Sequence, residues 1–262
     1  MINKSWRSLL DCGFALLSPK SSLCYACQRP FRRVRDSLPL LCQQCGRLVP
    51  WIHSAVCPVC GRGERCDDCA RRAMTFFVCN RSAVHYNEQT REWIARYKYR
   101  GDEALAALFG TILNYKFRHM IGEMRARQAG FHFHAIIPVP LSEERLLERG
   151  FNQAEQLAAA VAGKQRIKLT PLLLRNRHSD KQSSKTRRER MDNTYNLFAV
   201  HEEWMAKLMR NGQPSPVRLL IVDDIYTTGS TVNACAAAIT NCIRHSYPTI
   251  RAEIYVLTLA RS

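Results

Sequence analysis

Residues 219–231 read Leu-Leu-Ile-Val-Asp-Asp-Ile-Tyr-Thr-Thr-Gly-Ser-Thr, and the reading of this stretch decides the fold. Four apolar residues, Leu219 to Val222, have the pattern of a strand buried on both faces. Two adjacent carboxylates, Asp223 and Asp224, stand where that strand is expected to end. Small hydroxyl residues with one glycine follow, Thr227-Thr228-Gly229-Ser230-Thr231. A helical apolar period comes next, with Val232, Ala236, Ile239 and Ile243 on one face. A strand, a small-residue loop and a helix in that order make an anion site. Loop amides and the positive helix end face the ligand, Gly229 lets the backbone come close, and the hydroxyls add donors. The paired acids would repel a phosphate. They suit the vicinal hydroxyls of a ribose, or a magnesium ion shared with the ligand.

Outward from this stretch, the chain has 262 residues, 46% of them hydrophobic, enough for one large domain or two modest ones with a proper core. No apolar run approaches the length of a membrane span. The segment Trp6 to Leu17 is interrupted by Arg7, Asp11 and Gly13 and reads as a short amphipathic helix rather than an export signal. A cytoplasmic protein without membrane insertion is the expectation. The net charge of +17 predicts attraction to polyanions and a salt-dependent background affinity for nucleic acid.

Eight of the twelve cysteines fall into four C-x-x-C pairs: Cys24/Cys27, Cys42/Cys45, Cys57/Cys60 and Cys66/Cys69. Each pair forms a tight knuckle whose thiolates turn toward one point, and two knuckles supply a closed tetrahedral site that suits structural Zn²⁺. Fourteen residues separate the first knuckle from the second, and five separate the third from the fourth. The economical assignment is one zinc on the first two knuckles and a second on the last two, although crossed pairing fits the sequence as well. Few large apolar residues lie here, so metal must supply much of the folding energy. Arg29, Arg32, Arg33 and Arg35 mix with Tyr25, Phe31 and Trp51, a composition suited to single-stranded nucleic acid; a zinc-stapled lid on the next domain is the alternative. His53 reads as a loop histidine, and Cys12, Cys79, Cys235 and Cys242 have no partner pattern.

The remaining chain alternates strand and helix signals. A strand-like stretch runs from Phe76 to Tyr86, and a helical period covers residues 89–119, split at Tyr99-Arg100-Gly101-Asp102. A buried strand over Phe131 to Pro140 ends in a proline loop, Pro138-Val139-Pro140-Leu141, expected near Asp223 and Asp224 because ligand loops lie at the carboxyl ends of strands. Arg145 and Arg149 share a face if their turn is helical, and Arg149 beside Gly150 suits a bidentate phosphate contact. A helix over Ala154 to Ala162 stops at Gly163. A short strand at Leu172 to Leu174 precedes residues 175–190, which carry seven Lys/Arg against two acids and read as a mobile loop. Asn193 to Val200 reads as an edge segment, Glu202 to Pro216 as an insertion or loop, and Glu253 to Leu259 as the last strand.

The 219–231 stretch resembles the signature of type I phosphoribosyltransferases. The cysteine knuckles, YKYRGD (Tyr97 to Asp102), PVPL (Pro138 to Leu141), RGFNQ (Arg149 to Gln153), KQS (Lys181 to Ser183) and VDDIYTTGST (Val222 to Thr231), taken in that order, resemble the ComF/GntX family. The resemblance implies a type I phosphoribosyltransferase-like α/β fold, a doubly wound parallel sheet preceded by a small zinc-ribbon module. It divides the chain into an extension over 1–22, a zinc-finger module over 23–72 and a phosphoribosyltransferase-like domain over 73–262. It implies that Asp223 and Asp224 hold the ribose of phosphoribosyl pyrophosphate (PRPP) as the catalytic acids. Thr227, Thr228, Gly229, Ser230 and Thr231 would take its 5′-phosphate, and Arg149, Lys98 and Lys181 (with Gln182 and Arg187) would complete the PRPP site with Mg²⁺. It further implies a role in competence and DNA uptake, with single-stranded DNA and an uptake helicase or other competence machinery as partners. Two readings follow: a phosphoribosyl transfer enzyme of undefined acceptor, or a DNA-binding adaptor that uses PRPP or a nucleotide as a regulator.

Overall fold

The computed structural model describes residues 22–32, 37–70, 74–99, 102–176, 197–210 and 216–262. Lys181, Gln182, Arg187, Arg33, Arg35, Cys12 and the basic stretch from 177 onward lie outside the described residues. The chain divides into two compact units, 1–49 and 50–262. In the first, β1 (Ser22–Leu23) and β2 (Pro30–Phe31) form an antiparallel hairpin, and α1 (Gln43–Arg47) follows. Among its described residues, Leu41 and Val49 are buried with Cys24 and Cys45.

The second unit begins with α2 (Asp67–Ala70), then β3 (Cys79–His85), α3 (Glu88–Tyr99), α4 (Glu103–Arg127) and β4 (Ala135–Pro138). Next come α5 (Glu143–Arg149), α6 (Gln153–Gln165), and a small antiparallel pair, β5 (Leu173–Arg175) and β6 (Phe198–Val200). The chain continues through α7 (Glu202–Met209), β7 (Val217–Tyr226), α8 (Ser230–Ser246) and β8 (Ala252–Arg261). The main sheet has the order β3-β8-β7-β4 and is parallel throughout. This is the doubly wound α/β architecture that the sequence predicts, with β7 in the interior of the sheet. Leu219 and Ile221 join Ile239 and Ile243 of α8 in one buried cluster. Leu220 and Val222 point the other way by the two-residue period of a strand and are also buried. The unbroken apolar run is therefore what a strand covered on both faces requires.

Two expectations need correction. The strand does not stop at Val222: β7 continues to Tyr226, with Asp223 opposite Thr258, Ile225 opposite Ala260 and Tyr226 opposite Arg261. Its neighbour β8 is equally long, so the two acids lie within the ladder instead of beyond it. The stretch taken as an insertion from Glu202 begins as the helix α7, which buries Met205, Leu208 and Met209. Glu202 and Glu203 in its first turn complement the helix dipole.

Helices α4 and α6 meet at a close approach. A Cβ on Gly110 would lie 2.9 Å from the Ala160 Cβ. Asn114 Nδ2 donates to the Ala160 carbonyl at 3.0 Å, and Gln165 Nε2 donates to Asn114 Oδ1 at 2.9 Å. Small residues let the helices touch, and the amide pair fixes their register. Leu220→Ala should cost about 2–5 kcal/mol, because the site on β7 is enclosed on all sides. Denaturant unfolding should show this as a lowered midpoint with an unchanged slope.

Candidate functional site

The carboxyl ends of β4 and β7 and the N-terminal end of α8 open onto a concavity of about 160 Å³, where the PVPL loop, the RGFNQ turn, Asp223, Asp224 and Thr231 converge. Asp223 and Asp224 are half-buried, and Asp223 Oδ1 accepts from the Asp224 amide at 2.9 Å. Burial, followed by the charge of Asp224 beside it, pushes the Asp223 carboxyl up to about 7, against the opposing pull of Lys98 and Arg175. Asp224 is held by Lys98, whose Nζ lies 2.5 Å from its Oδ2.

Four cations line this hollow: Lys98 from α3, Arg145 and Arg149 from α5, and Arg175 from β5. Burial holds the Arg175 guanidinium below its usual range, with Arg145 adding repulsion. Helix α5 makes Arg145 and Arg149 one-turn neighbours, as their spacing predicts. It is capped by Ser142 and ends at Gly150, whose φ of 76° is left-handed and favours glycine. The Arg149 fork donates to Gln153 Oε1 at 3.0 Å and to Tyr99 Oη at 3.4 Å, and it lies over the Tyr99 ring at 5.2 Å. Helix α5 buries no side chain, and Leu147 on it is 86% exposed. Asn152 Nδ2 donates to the Val139 carbonyl at 3.1 Å, which ties the RGFNQ turn to the PVPL loop. Among the described residues, Arg149 Nε and Gln153 Nε2 are buried without a hydrogen-bond partner, an arrangement that a polar ligand would relieve.

Gly229 has a φ of 79° and precedes α8. A side chain there would collide with the Tyr226 ring, so the loop needs glycine for space as well as for conformation. Thr227, Thr228, Ser230 and Thr231 are exposed, and the Thr228 and Ser230 hydroxyls lie 2.8 Å apart. Exposed hydroxyls at the positive end of a 17-residue helix are equipped to take an anion.

The knuckles form two tetrads, Cys24/Cys27/Cys42/Cys45 and Cys57/Cys60/Cys66/Cys69, and within each the sulfurs lie within 4.8 Å of one another. This is the sequential assignment. Cys60 and Cys66 sulfurs stand 3.4 Å apart, too far for an S–S bond of about 2.05 Å. Four thiols converging on one point fit a tetrahedral metal such as zinc. At Cys24, burial opposes charge, but the amides of Cys42, Cys27 and Ala26 outweigh it and hold the thiol down at about 6, while burial and the neighbouring cysteines push Cys45 up. The second tetrad belongs to the sheet-bearing unit and is braced against β3. Asn80 Nδ2 donates to the Cys60 carbonyl at 2.9 Å, the Asn80 amide donates to the Val59 carbonyl at 2.7 Å, and Arg81 Nη1 donates to the Pro58 carbonyl at 3.2 Å. A larger hollow of about 400 Å³ lies at the carboxyl ends of β3 and β8, lined by Trp51, His53, Arg62, Glu64, His85 and Arg261. The smaller one, with its converging charges, has the chemistry of a site.

The structure thus gathers Lys98, Arg149, Asp223, Asp224 and Thr231 around one hollow, with Thr227 to Ser230 in the adjoining loop. Sequence reasoning passes over Tyr226 and Arg261. The only hint of the latter is a cation closing an apolar strand at its carboxyl end.

The parallel sheet, the acids on β7 and the hydroxyl loop ahead of α8 define a type I phosphoribosyltransferase-like α/β protein. No family model matches the chain. Over 241 residues it is 30% identical to competence protein ComFC of Bacillus subtilis (strain 168), covering 88% of this chain and 81% of that protein. ComFC of Streptococcus pneumoniae is 29% identical over 204 residues (76% and 81%), and competence protein F of Haemophilus influenzae is 26% identical over 235 residues (86% of each). The chain belongs to the ComF family of competence proteins. Among solved structures, yeast (Saccharomyces cerevisiae) adenine phosphoribosyltransferase is similar over 58% of this chain and 69% of its own, at 19% identity and a TM-score of 0.29. The Leishmania tarentolae enzyme covers 55% and 70%, at 13% identity and a TM-score of 0.23. Among the described residues no helix is long and apolar enough to cross a membrane.

Asp223 provides a pH-dependent prediction. Its folded pKa lies above the ordinary carboxylate value, so ionising it costs stability as pH rises through the interval between the two, and the full cost is present above the folded value. Asp223→Asn removes that cost. Thermal melts should show the variant more stable than the parent at pH 8, with the difference vanishing below about pH 4.

Proposed function

We propose that the 160 Å³ hollow binds PRPP with Mg²⁺, and that the protein transfers the phosphoribosyl group to an acceptor and releases pyrophosphate in the service of DNA uptake and use. One observation carries this reading: paired acids directly ahead of a hydroxyl-rich loop and helix end, in a hollow lined by four cations. In this reading Thr227 to Thr231 and the α8 end hold the 5′-phosphate. Asp223 and Asp224 accept hydrogen bonds from the ribose hydroxyls, and Arg149, Arg145 and Lys98 meet the diphosphate. Lys181 joins them from the 175–190 segment. Mg²⁺, when bound, neutralises the charge of the diphosphate. As the bond from the anomeric carbon to the diphosphate oxygen breaks, its electron pair leaves with pyrophosphate, and the sugar gains positive character that the two acids stabilise. The acceptor's lone pair forms the new bond, and its proton passes to solvent. Lys98 is paired with Asp224, and arrival of phosphate offers that ammonium a second anionic partner. Each cysteine tetrad holds one structural Zn²⁺.

A second reading is a single-stranded-DNA adaptor in which the same hollow takes PRPP or a nucleotide as a regulator. The charge of +17 supports it, as do exposed Arg29 and Arg32 beside Tyr25 and Phe31. An oligonucleotide affinity that falls steeply with salt would support it, and undetectable binding at moderate salt would remove it.

Calorimetry with PRPP and Mg²⁺ tests the first reading. Asp223→Asn combined with Asp224→Asn should abolish binding, and unchanged affinity in that variant would remove the assignment. Arg149→Met should weaken binding about tenfold or more, the scale of one lost charge-assisted hydrogen bond.

A further inference from the structure

Arg261 closes the last strand, and its guanidinium stands between the second cysteine tetrad and the hydroxyl loop. The residue is 4% exposed. Nη2 donates to Cys60 Sγ at 3.8 Å. Nη1 donates to the Thr227 carbonyl at 2.5 Å, to the Tyr226 carbonyl at 3.2 Å, and to the Ser262 carbonyl. The guanidinium carbon lies 4.7 Å from the centre of the Tyr226 ring, whose other end meets Gly229. A peptide unit is planar, so fixing a carbonyl fixes the direction of the next amide. The Tyr226 carbonyl also accepts from the Ser262 amide at 3.0 Å, so the orientation that Arg261 adds is at the Thr227 carbonyl, where it sets the direction of the Thr228 N–H. That is among the donors that an anion in this loop would use.

The other end of the arginine explains what holds it there. Four thiolates around a divalent metal carry a net charge of −2, and a guanidinium beside one of them is the kind of surrounding partner that orients such a centre. Without the metal the four sulfurs are no longer held at one point, and the guanidinium loses a fixed partner at Cys60. A second tether runs in parallel. Beyond the tetrad, the Phe76 amide donates to Asn233 Oδ1 at 2.9 Å, and Asn233 Nδ2 donates to the Met74 carbonyl at 3.2 Å. Asn233 sits in the first turn of α8. The tetrad segment therefore reaches the loop from one side and the helix start from the other.

We infer that Arg261 is a positioning residue that makes anion binding at Thr227 to Thr231 depend on the metal in the Cys57/Cys60/Cys66/Cys69 tetrad. The ligand in this inference rests on the function proposed above; the coupling rests on the geometry of Arg261. Metal loss at the tetrad frees one arm of the guanidinium, loosens its grip on the Thr227 carbonyl, lets the adjoining loop amide drift and lowers affinity for the sugar phosphate.

The test uses the full chain, with zinc content, hydrogen exchange over residues 227–230 and calorimetry with PRPP and Mg²⁺ read on each variant. Arg261→Met should keep its zinc, exchange faster over 227–230 and bind PRPP about tenfold more weakly. Arg261→Lys, which keeps the charge but not the fork, should fall between it and the parent. Cys66→Ser with Cys69→Ser should lose one zinc and reproduce the weakening, and adding Arg261→Met to it should cost less than about a further twofold, because coupled groups do not add. Unchanged protection of the β7 and β8 interior identifies folded variants; if the cysteine variant fails that check, the two Arg261 variants decide. Parental exchange and affinity in zinc-replete Arg261→Met would overturn the coupling, as would full additivity in the cysteine background. Should the parent itself bind no PRPP, the proposed ligand is wrong, and the exchange measurement alone decides the coupling.

Discussion

Two neighbouring carboxylates half-buried at the end of a parallel sheet impose the constraint on which the rest of this site depends. Burial raises the cost of ionising Asp223, and the charge of Asp224 beside it adds to that cost. The arrangement is tolerable only where positive charge converges from several directions. The winding of the chain provides this. Lys98 arrives on the helix after β3, Arg145 and Arg149 on the helix after β4, and Arg175 on the strand that follows α6. Because β7 lies between β4 and β8, its carboxyl end is the place where these successive crossovers deliver their ends. The hollow is a product of topology, and the charge on its walls is the condition for keeping the acids there.

The cysteine tetrads answer a different constraint. Among the described residues of the first unit, Leu41 and Val49 are buried beside Cys24 and Cys45, where a metal held by the thiols would add to the stability of the fold. The second tetrad lies on a scaffold that already has a large core, and it is bound into that scaffold through Asn80, Arg81 and Arg261. Two clusters with one ligand set thus sit in different settings: one lies in the unit of the β1–β2 hairpin, and the other is tied to the edge strand β3 of the main sheet.

Much of this was legible in the sequence, because the signals were local. The run from Leu219 to Thr231 puts strand, acids, hydroxyls and helix within thirteen residues. The knuckle spacing makes the observed sequential tetrads the economical assignment while leaving crossed pairing open, and the i, i+4 spacing of Arg145 and Arg149 gives them one helical face. What stayed hidden depends on partners distant in sequence. The extension of β7 past its acids follows from the length of β8, and no property of residues 223–226 alone shows it. Helix α7 is short, and its three buried residues form a stripe too brief to outweigh the polar residues and prolines that follow. Arg261 and Cys60 meet only because β8 runs beside β3 and the tetrad segment is tied to β3. The C-x-x-C pattern flags Cys60, but Arg261 has no neighbour in sequence that would flag it.

The bare surface of α5 gives the two sides of the hollow unequal stiffness. On one side, the acids belong to a strand that is paired with β4 as far as Val222 and with β8 through Tyr226, and they cannot shift without breaking ladder bonds to β8. On the other, Arg145 and Arg149 ride on a seven-residue helix that buries nothing, held by a serine cap at one end and a left-handed glycine at the other. Behind it α6 is locked to α4 through Gly110 and Asn114. Segments with so few packed contacts open at low free-energy cost. The hollow therefore pairs an anvil with a light hammer: the acids stand on a wall that resists displacement, while the arm that bears Arg145 and Arg149 is cheap to move.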